Sequence, residues 1–221
     1  MKTEQYALNK VCNGLDGERS LASMPQLNAV FKESYKQLDD MIAFTSKIEE
    51  RLCVHLREGT IPEPDLVDAI SVCKIRCIDV SIQRAHALRM EVGSYALMHM
   101  TGFELIDMFL CCKFAEGDSR ILQMKLKRDR LKKLQKEGPL PTVMQLFGQD
   151  SEEAFLALRL AKNLAPAGRD LKKMSKAMDD NWEDVYALAE EIEKRHLRIP
   201  GSTFPEKLVE RMRPAATSFD K

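Results

Sequence analysis

Hydrophobic residues recur every three or four positions along most of the chain, which is the spacing of amphipathic helices. One such pattern runs from Pro25 to a glycine at position 59, and a second from Pro64 to Val92. An apolar pattern, charged only at Glu104, Asp107 and Lys113, follows over 103–114, and a strongly basic one over 118–137. Because short connectors rich in proline or glycine separate these patterns, the sequence predicts an antiparallel four-helix bundle.

The composition changes after Gly138-Pro139-Leu140-Pro141, which is the best candidate for a domain boundary. Further helical patterns follow, the first of them opened by Ser151. We therefore predict a lead-in helix and turns over residues 1–24, the bundle over 25–137, and a helical extension with a loosely held tail over 138–221.

The composition supports an all-α globular protein. Hydrophobic residues make up 44% of the chain and charged residues 31%, and β-branched residues do not form alternating runs. Basic and acidic residues number 34 each, so the net charge does not favour nucleic acid or an anionic membrane as a partner. No segment approaches the ~18 apolar residues of a membrane span. The N-terminal segment has no signal or transit character, so we expect a cytoplasmic protein, or a mitochondrial or peroxisomal one if the true N-terminus is missing.

Six cysteines are present, and they follow no disulfide framework. Cys73 and Cys77 share a helix face, and Cys111-Cys112 could approach them across the bundle. A metal site is conceivable there, but no Cys-x-x-Cys or paired histidine completes it. We therefore interpret the cysteines as buried reduced thiols and expect no metal.

Between Arg120 and Lys136, the predicted basic helix carries eight basic residues against Asp129 alone. Such a face is usually solvated, but two sharper interpretations are open: contact with the phosphates of a coenzyme A nucleotide, or docking on the acidic residues of the extension. We favour docking, which needs no ligand. The acids are Asp179, Asp180, Glu183, Asp184, Glu190, Glu191 and Glu193.

The junction between the apolar and the basic helix carries the main candidate for chemistry. Glu116 follows the apolar segment and precedes Gly117, and Asp118 and Ser119 are suited to cap the next helix. A carboxylate at the edge of an apolar pocket, which Phe109, Leu110, Phe114 and residues 98–100 could line, can act as a proton acceptor. An ordinary solvated glutamate before a helix-ending glycine is the alternative.

The run from about Val67 through Gly93-Ser94-Tyr95 to Phe114-Ala115-Glu116-Gly117-Asp118-Ser119-Arg120-Ile121 resembles the C-terminal helical domain of the acyl-CoA dehydrogenase and oxidase family. The resemblance covers roughly residues 24–135. It implies that Glu116 is the catalytic base, in the oxidase-type motif Glu116-Gly117-Asp118. It also implies an acyl-CoA substrate and FAD contacts at Gly93, Ser94, Gly117 and Asp118.

Family enzymes place two further domains, one helical and one of β structure, before this bundle, and 221 residues leave no room for them. Two functions are therefore open. The chain could be a flavin-dependent acyl-CoA-oxidising domain lacking its N-terminal and β domains. It could instead be a non-catalytic helical module for oligomerisation or protein interaction. In both cases we expect a homo-oligomer, because missing domains would leave an apolar face exposed.

Overall fold

The computed structural model describes residues 2–12, 19–115, 117–168 and 170–198. Over these ranges the chain is almost entirely helical, which confirms the all-α class. A small hairpin pairs β1 (Val11–Cys12) with β2 (Arg19–Ser20) in antiparallel register. The α-helices are α1 (Lys2–Asn9), α2 (Pro25–Glu58), α3 (Pro64–Glu91), α4 (Leu105–Cys112), α5 (Ser119–Glu137), α6 (Pro139–Gln145), α7 (Ser151–Leu164), α8 (Leu171–Asp180) and α9 (Trp182–Leu197).

The chain divides into two compact units. The first contains Met1–Ile61 and Cys73–Asp118, and the second contains Pro62–Val72 and Ser119–Lys221. Helix α3 contributes residues to both. The predicted division at residues 24 and 137 is a different partition of the chain and stays a prediction. None of the helices in the described ranges is both long and apolar enough to cross a membrane.

In the first unit, α2, the later part of α3 and α4 are successively antiparallel. Met41 and Thr45 of α2 contact Cys77, and Thr45 also contacts Cys73, so that α3 runs back along α2. Ile106, at the start of α4, lies in the same buried core as Leu88 and Val92 at the end of α3. Lys113, just after α4, pairs with Asp79 at 2.7 Å. Helix α4 therefore returns along α3.

Helix α2 ends at a residue whose backbone adopts the left-handed conformation. Gly59 has φ 63°, and its backbone N–H donates to the carbonyl of His55. Side chains with a Cβ avoid this conformation, whereas glycine adopts it readily, so the sequence correctly predicted the end of the helix.

Helix α6 begins where the sequence predicted only a connector. Pro139 occupies the first turn after Gly138. Proline is tolerated there because the first N–H groups of a helix have no intrahelical acceptor. The Gly-Pro-Leu-Pro sequence is therefore the start of a helix rather than a linker.

In the second unit, α9 packs against α5 and α7, and α6 packs against α7. Leu126, Leu160, Leu188 and Ile192 are almost completely buried. Burying an aliphatic side chain of this size contributes roughly 1.5–3 kcal/mol. The apolar stripes of these helices thus form the core of the unit.

A buried carboxylate, Glu153 of α7, lies between two arginines in the same unit. Its Oε1 accepts a hydrogen bond from Nε of Arg130 at 2.6 Å, and its Oε2 lies 2.8 Å from Nε of Arg195. Arg130 also donates through Nη2 to the side-chain oxygen of Gln145 at 2.8 Å. Four helices, α5, α6, α7 and α9, therefore meet in one polar network.

The basic helix α5 packs on α9 of the extension, and a hydrogen bond reaches the predicted acidic set. Gln123 of α5 donates this hydrogen bond to Oε1 of Glu193 at 2.9 Å. The basic side chains of Lys125 and Arg130 pair with other acids, Lys125 with Asp68 and Asp129 and Arg130 with Glu153. Docking of α5 through its basic residues on the acids of the extension stays a prediction.

Lys127 of α5 is buried rather than solvated, with only 1% of its surface exposed. Its Nζ lies 3.2 Å from Sδ of Met124 and 3.4 Å from Sδ of Met178. Thioether sulfurs are weak acceptors and do not replace the hydration of an ammonium group. Burial accordingly lowers the pKa of Lys127.

We predict that Glu153→Ala strongly destabilises the protein, because it leaves the buried Arg130 without its carboxylate. Loss of one partner from a buried ion pair costs about 3–5 kcal/mol. Urea denaturation followed by circular dichroism measures the change. The control is Glu152→Ala, which removes an exposed carboxylate one residue earlier and should cost less than about 1 kcal/mol. Equal effects of the two substitutions would contradict the assigned role of Glu153.

Candidate functional site

The loop between α4 and α5, where the sequence places its catalytic candidate, is held by a lysine from α3. Nζ of Lys74 donates to the carbonyl oxygen of Lys113 at 2.9 Å and to that of Gly117 at 2.6 Å. Charge-assisted hydrogen bonds of this kind are stronger than neutral ones. The backbone on either side of residue 116 is therefore fixed to one point on α3.

Local backbone geometry explains the residues that flank this loop. Gly117 has φ 102°, a conformation that a residue with a Cβ rarely adopts. Asp118 immediately precedes α5, where aspartate is a favoured capping residue, and Ser119 is buried as the first residue of the helix. The glycine and the aspartate thus both have structural reasons to be present.

Glu116 itself lies outside the described residues. Its predicted apolar surroundings differ from expectation: the side chain of Phe114 is 71% exposed, that of Met98 is 61% exposed and that of Met100 is 63% exposed. Leu110 is also exposed, whereas Phe109 is half-buried. Among the described residues these side chains form no enclosed pocket, because Phe114, Met98 and Met100 leave most of their surface open to solvent.

Gly93 and Ser94, the other pair implied to contact flavin, lie just beyond the end of α3. Gly93 has φ 58°, and a Cβ added there would meet no atom within 4 Å. The left-handed turn therefore explains why this residue is glycine, and the neighbouring described atoms leave space for a side chain. Gly117 is tied to Lys74, and the end of α3 lies roughly 25 Å further along the helix at 1.5 Å per residue. The four residues do not fit a single flavin cradle within one chain.

A cavity of about 400 Å³ between the end of α3 and the start of α4 was not found by sequence reasoning. Charged residues of both signs line it, together with Ala96, Leu97, Met98, Phe103 and Ile106; the charged or titratable ones are Arg89, His99, Glu104 and Asp107. Backbone N–H groups, its own first and then that of Gly102, lower the pKa of Glu104. The cavity can offer charged partners to a polar ligand.

Met100, beside this cavity in sequence, has φ 60°. The left-handed conformation costs an L-residue about 1–2 kcal/mol. Nζ of Lys2 donates to its carbonyl oxygen at 2.9 Å, which helps to hold the strained turn. The sequence signal was the neighbouring Thr101-Gly102, which predicts a turn but not the strain.

Comparison with known proteins supports the fold but gives no sequence match. No family model matches the chain, and no curated protein matches it in sequence. Its fold is similar to the acyl-CoA oxidase class. The structure of Arabidopsis thaliana acyl-CoA oxidase 1 matches over 88% of this chain with a TM-score of 0.53 and 14% identity. The match covers 35% of the oxidase, so this chain spans about a third of its length. At this identity the likeness concerns the fold alone.

We predict that Lys74→Met loosens the loop between α4 and α5, since it removes both hydrogen bonds while keeping the length of the side chain. Hydrogen bonds to a charged group contribute about 1.5–3 kcal/mol. Amide hydrogen exchange over 113–118 should become roughly tenfold or more faster. Lys32→Met, which changes an exposed lysine of α2, is the control and should leave that exchange unchanged. Unaltered exchange in Lys74→Met would show that the loop is held by other contacts.

Proposed function

We propose that this chain is an acyl-CoA oxidase-like helical domain in which Glu116 accepts the α-proton of an acyl-CoA thioester. FAD is assigned to the complete system by resemblance, with most of its contacts supplied by segments outside this chain. The chain's own contribution is the loop that presents the carboxylate.

The observation that supports the proposal is the similarity of the fold to acyl-CoA oxidase 1, together with the lysine that holds this loop. Lys74 holds the carbonyls of Lys113 and Gly117, so the backbone that carries Glu116 is fixed on both sides. A general base requires such positioning, since proton transfer depends on heavy-atom distances near 3 Å. The exposed Phe114 beside it offers an apolar surface to an acyl chain.

The four residues named for FAD support an assembly rather than a single-chain site. Because Gly93 and Ser94 lie at the far end of α3 from Gly117 and Asp118, one chain does not bring them together. In the proposal, Gly117 and Asp118 contact the flavin beside the base, and Gly93 and Ser94 contact a flavin held by another subunit. This arrangement requires a homo-oligomer.

We predict that the chain exchanges the α-hydrogen of an acyl-CoA for deuterium in heavy water, and that Glu116→Gln abolishes this exchange. The amide keeps the size of the side chain but cannot accept the proton. Loss of a positioned base typically costs roughly 10²–10⁴-fold in rate. Mass spectrometry of the thioester measures the exchange, and Glu137→Gln, at the end of α5, is the control.

Calorimetric titration with the same acyl-CoA separates binding from chemistry in that experiment. Glu116→Gln should bind the thioester as the wild type does. A wild-type chain that binds no acyl-CoA and catalyses no exchange would contradict the enzyme assignment and favour the second candidate below.

The second candidate function is a helical oligomerisation or interaction module, and one surface favours it. Apolar side chains recur at helical spacing from α6 into the following turn, and most of their area is exposed: 73% for Leu140, 71% for Met144 and 91% for Phe147. Val143 lies on the same stripe. A contiguous apolar surface on a soluble protein usually marks an interface. We assign this stripe to contact with a second copy of the chain.

We predict that the chain is a dimer or larger in solution and that the double substitution Met144→Lys and Phe147→Lys shifts it to a monomer. Two ammonium groups would have to be desolvated in the interface, which is unfavourable. Light scattering coupled to size-exclusion chromatography measures the mass. Leu171→Lys, at another exposed leucine in the same unit, is the control and should not change the mass. A wild-type monomer at high concentration would refute self-association.

A further inference from the structure

Three sulfur atoms converge between α2 and α3 in the first unit. Sγ of Cys73 lies 3.8 Å from Sγ of Cys77, and Sγ of Cys77 lies 3.8 Å from Sδ of Met41. The hydroxyl of Thr45 lies 3.5 Å from the first sulfur and 3.7 Å from the second. All six cysteines are free.

Both of these sulfur–sulfur separations match those between two ligands of one metal ion. With metal–sulfur bonds of about 2.3 Å, ligand sulfurs lie about 3.8 Å apart around a tetrahedral ion and about 4.0 Å apart around a trigonal planar one. A linear ion would hold two sulfurs about 4.6 Å apart. The observed 3.8 Å therefore suits an ion with three or four ligands.

The donor set selects the kind of ion. Two thiolates and a thioether are soft ligands, and soft ligands select copper(I). Zinc instead takes four ligands from cysteine, histidine and carboxylates. Within the described parts of the chain, no group of three or more such side chains could hold a metal ion. We propose that Cys73, Cys77 and Met41 bind one copper(I) ion, with Thr45 orienting the two cysteine ligands.

An opening leads to this cluster. A cavity of about 320 Å³ lies between α2 and α3, and Met41, Thr45 and Cys77 are part of its lining. The neighbouring lining residues Leu38, Ile42 and Val80 are apolar. A copper ion delivered by an exchangeable carrier could therefore reach the sulfurs without unfolding of the unit.

The test is an anaerobic competition between the protein and bicinchoninate for copper(I), read from the coloured chelator complex. The other four thiols must first be removed, so the parent protein carries Cys12→Ser, Cys53→Ser, Cys111→Ser and Cys112→Ser. We expect this parent to take one copper(I) ion from the chelator and to melt at a higher temperature when loaded, since a ligand of the folded state stabilises it. Zinc should not compete.

Substitutions in the parent identify the ligands. Cys73→Ser or Cys77→Ser should abolish copper uptake, and Met41→Leu should weaken it on the order of tenfold or more, since leucine keeps the shape but lacks the soft donor. Thr45→Val should weaken it by roughly 10–100-fold, the usual cost of losing a group that orients a ligand. Met90→Leu, at an exposed methionine, is the control.

Circular dichroism of each variant checks that the helices remain, so that a loss of uptake reports the site and not the fold. A parent that takes up no copper(I), or one whose uptake is the same after Cys73→Ser, would overturn the proposal. So would zinc uptake equal to that of copper(I). The inference is independent of the function proposed for Glu116, because the copper competition uses no acyl-CoA and leaves Glu116 unchanged.

Discussion

The C-terminal part of the fold depends on a buried carboxylate that lies between two arginines. Glu153 has both oxygens beside arginines, Arg130 from α5 and Arg195 from α9, and Arg130 in turn reaches Gln145 of α6. Apolar packing between helices tolerates small rotations, whereas a buried charge must keep its partners within hydrogen-bonding distance. The network therefore fixes the axial and rotational positions of four helices that hydrophobic contacts alone would leave less well defined. Its position on α7 makes that short helix the centre of the unit.

The sequence predicted the helices well because their apolar patterns are long and regular. Helices α2 and α3, of 34 and 28 residues, repeat the pattern many times and end beside proline or glycine. Helix α6 was missed because its two prolines suggested a break, although a proline in the first turn needs no hydrogen-bond partner. The charge pattern of α5 was less informative. Residue type does not distinguish Lys127, which is buried, from Lys132, which is exposed.

The candidate site was only partly accessible to sequence reasoning. The glycine and the acids of residues 116–118 indicated the junction, but the group that holds it, Lys74, lies about forty residues earlier and carries no local signal. The apolar character of Phe114 and Met98 predicted that both side chains are buried, whereas both are exposed in this chain. A sequence does not tell which chain supplies the atoms that bury an apolar side chain. Likewise, Cys73 and Cys77 could be paired by their spacing, but the approach of Met41 depends on the packing of α2 against α3.

Lys127 shows that the sequence of this protein does not give the fold its greatest stability. Sulfur atoms of Met124 and Met178 are the hydrogen-bonding partners of its amine in the described part of the chain, so the folded state carries the cost of dehydrating an ammonium group. The cost falls as the amine loses its proton, that is, as pH rises from the lowered folded pKa towards the ordinary lysine value of 10.5. A methionine at this position would fill similar space without the charge. Engineers seeking a more heat-resistant variant for crystallisation or assay could therefore begin in the interior of α5 rather than at the surface.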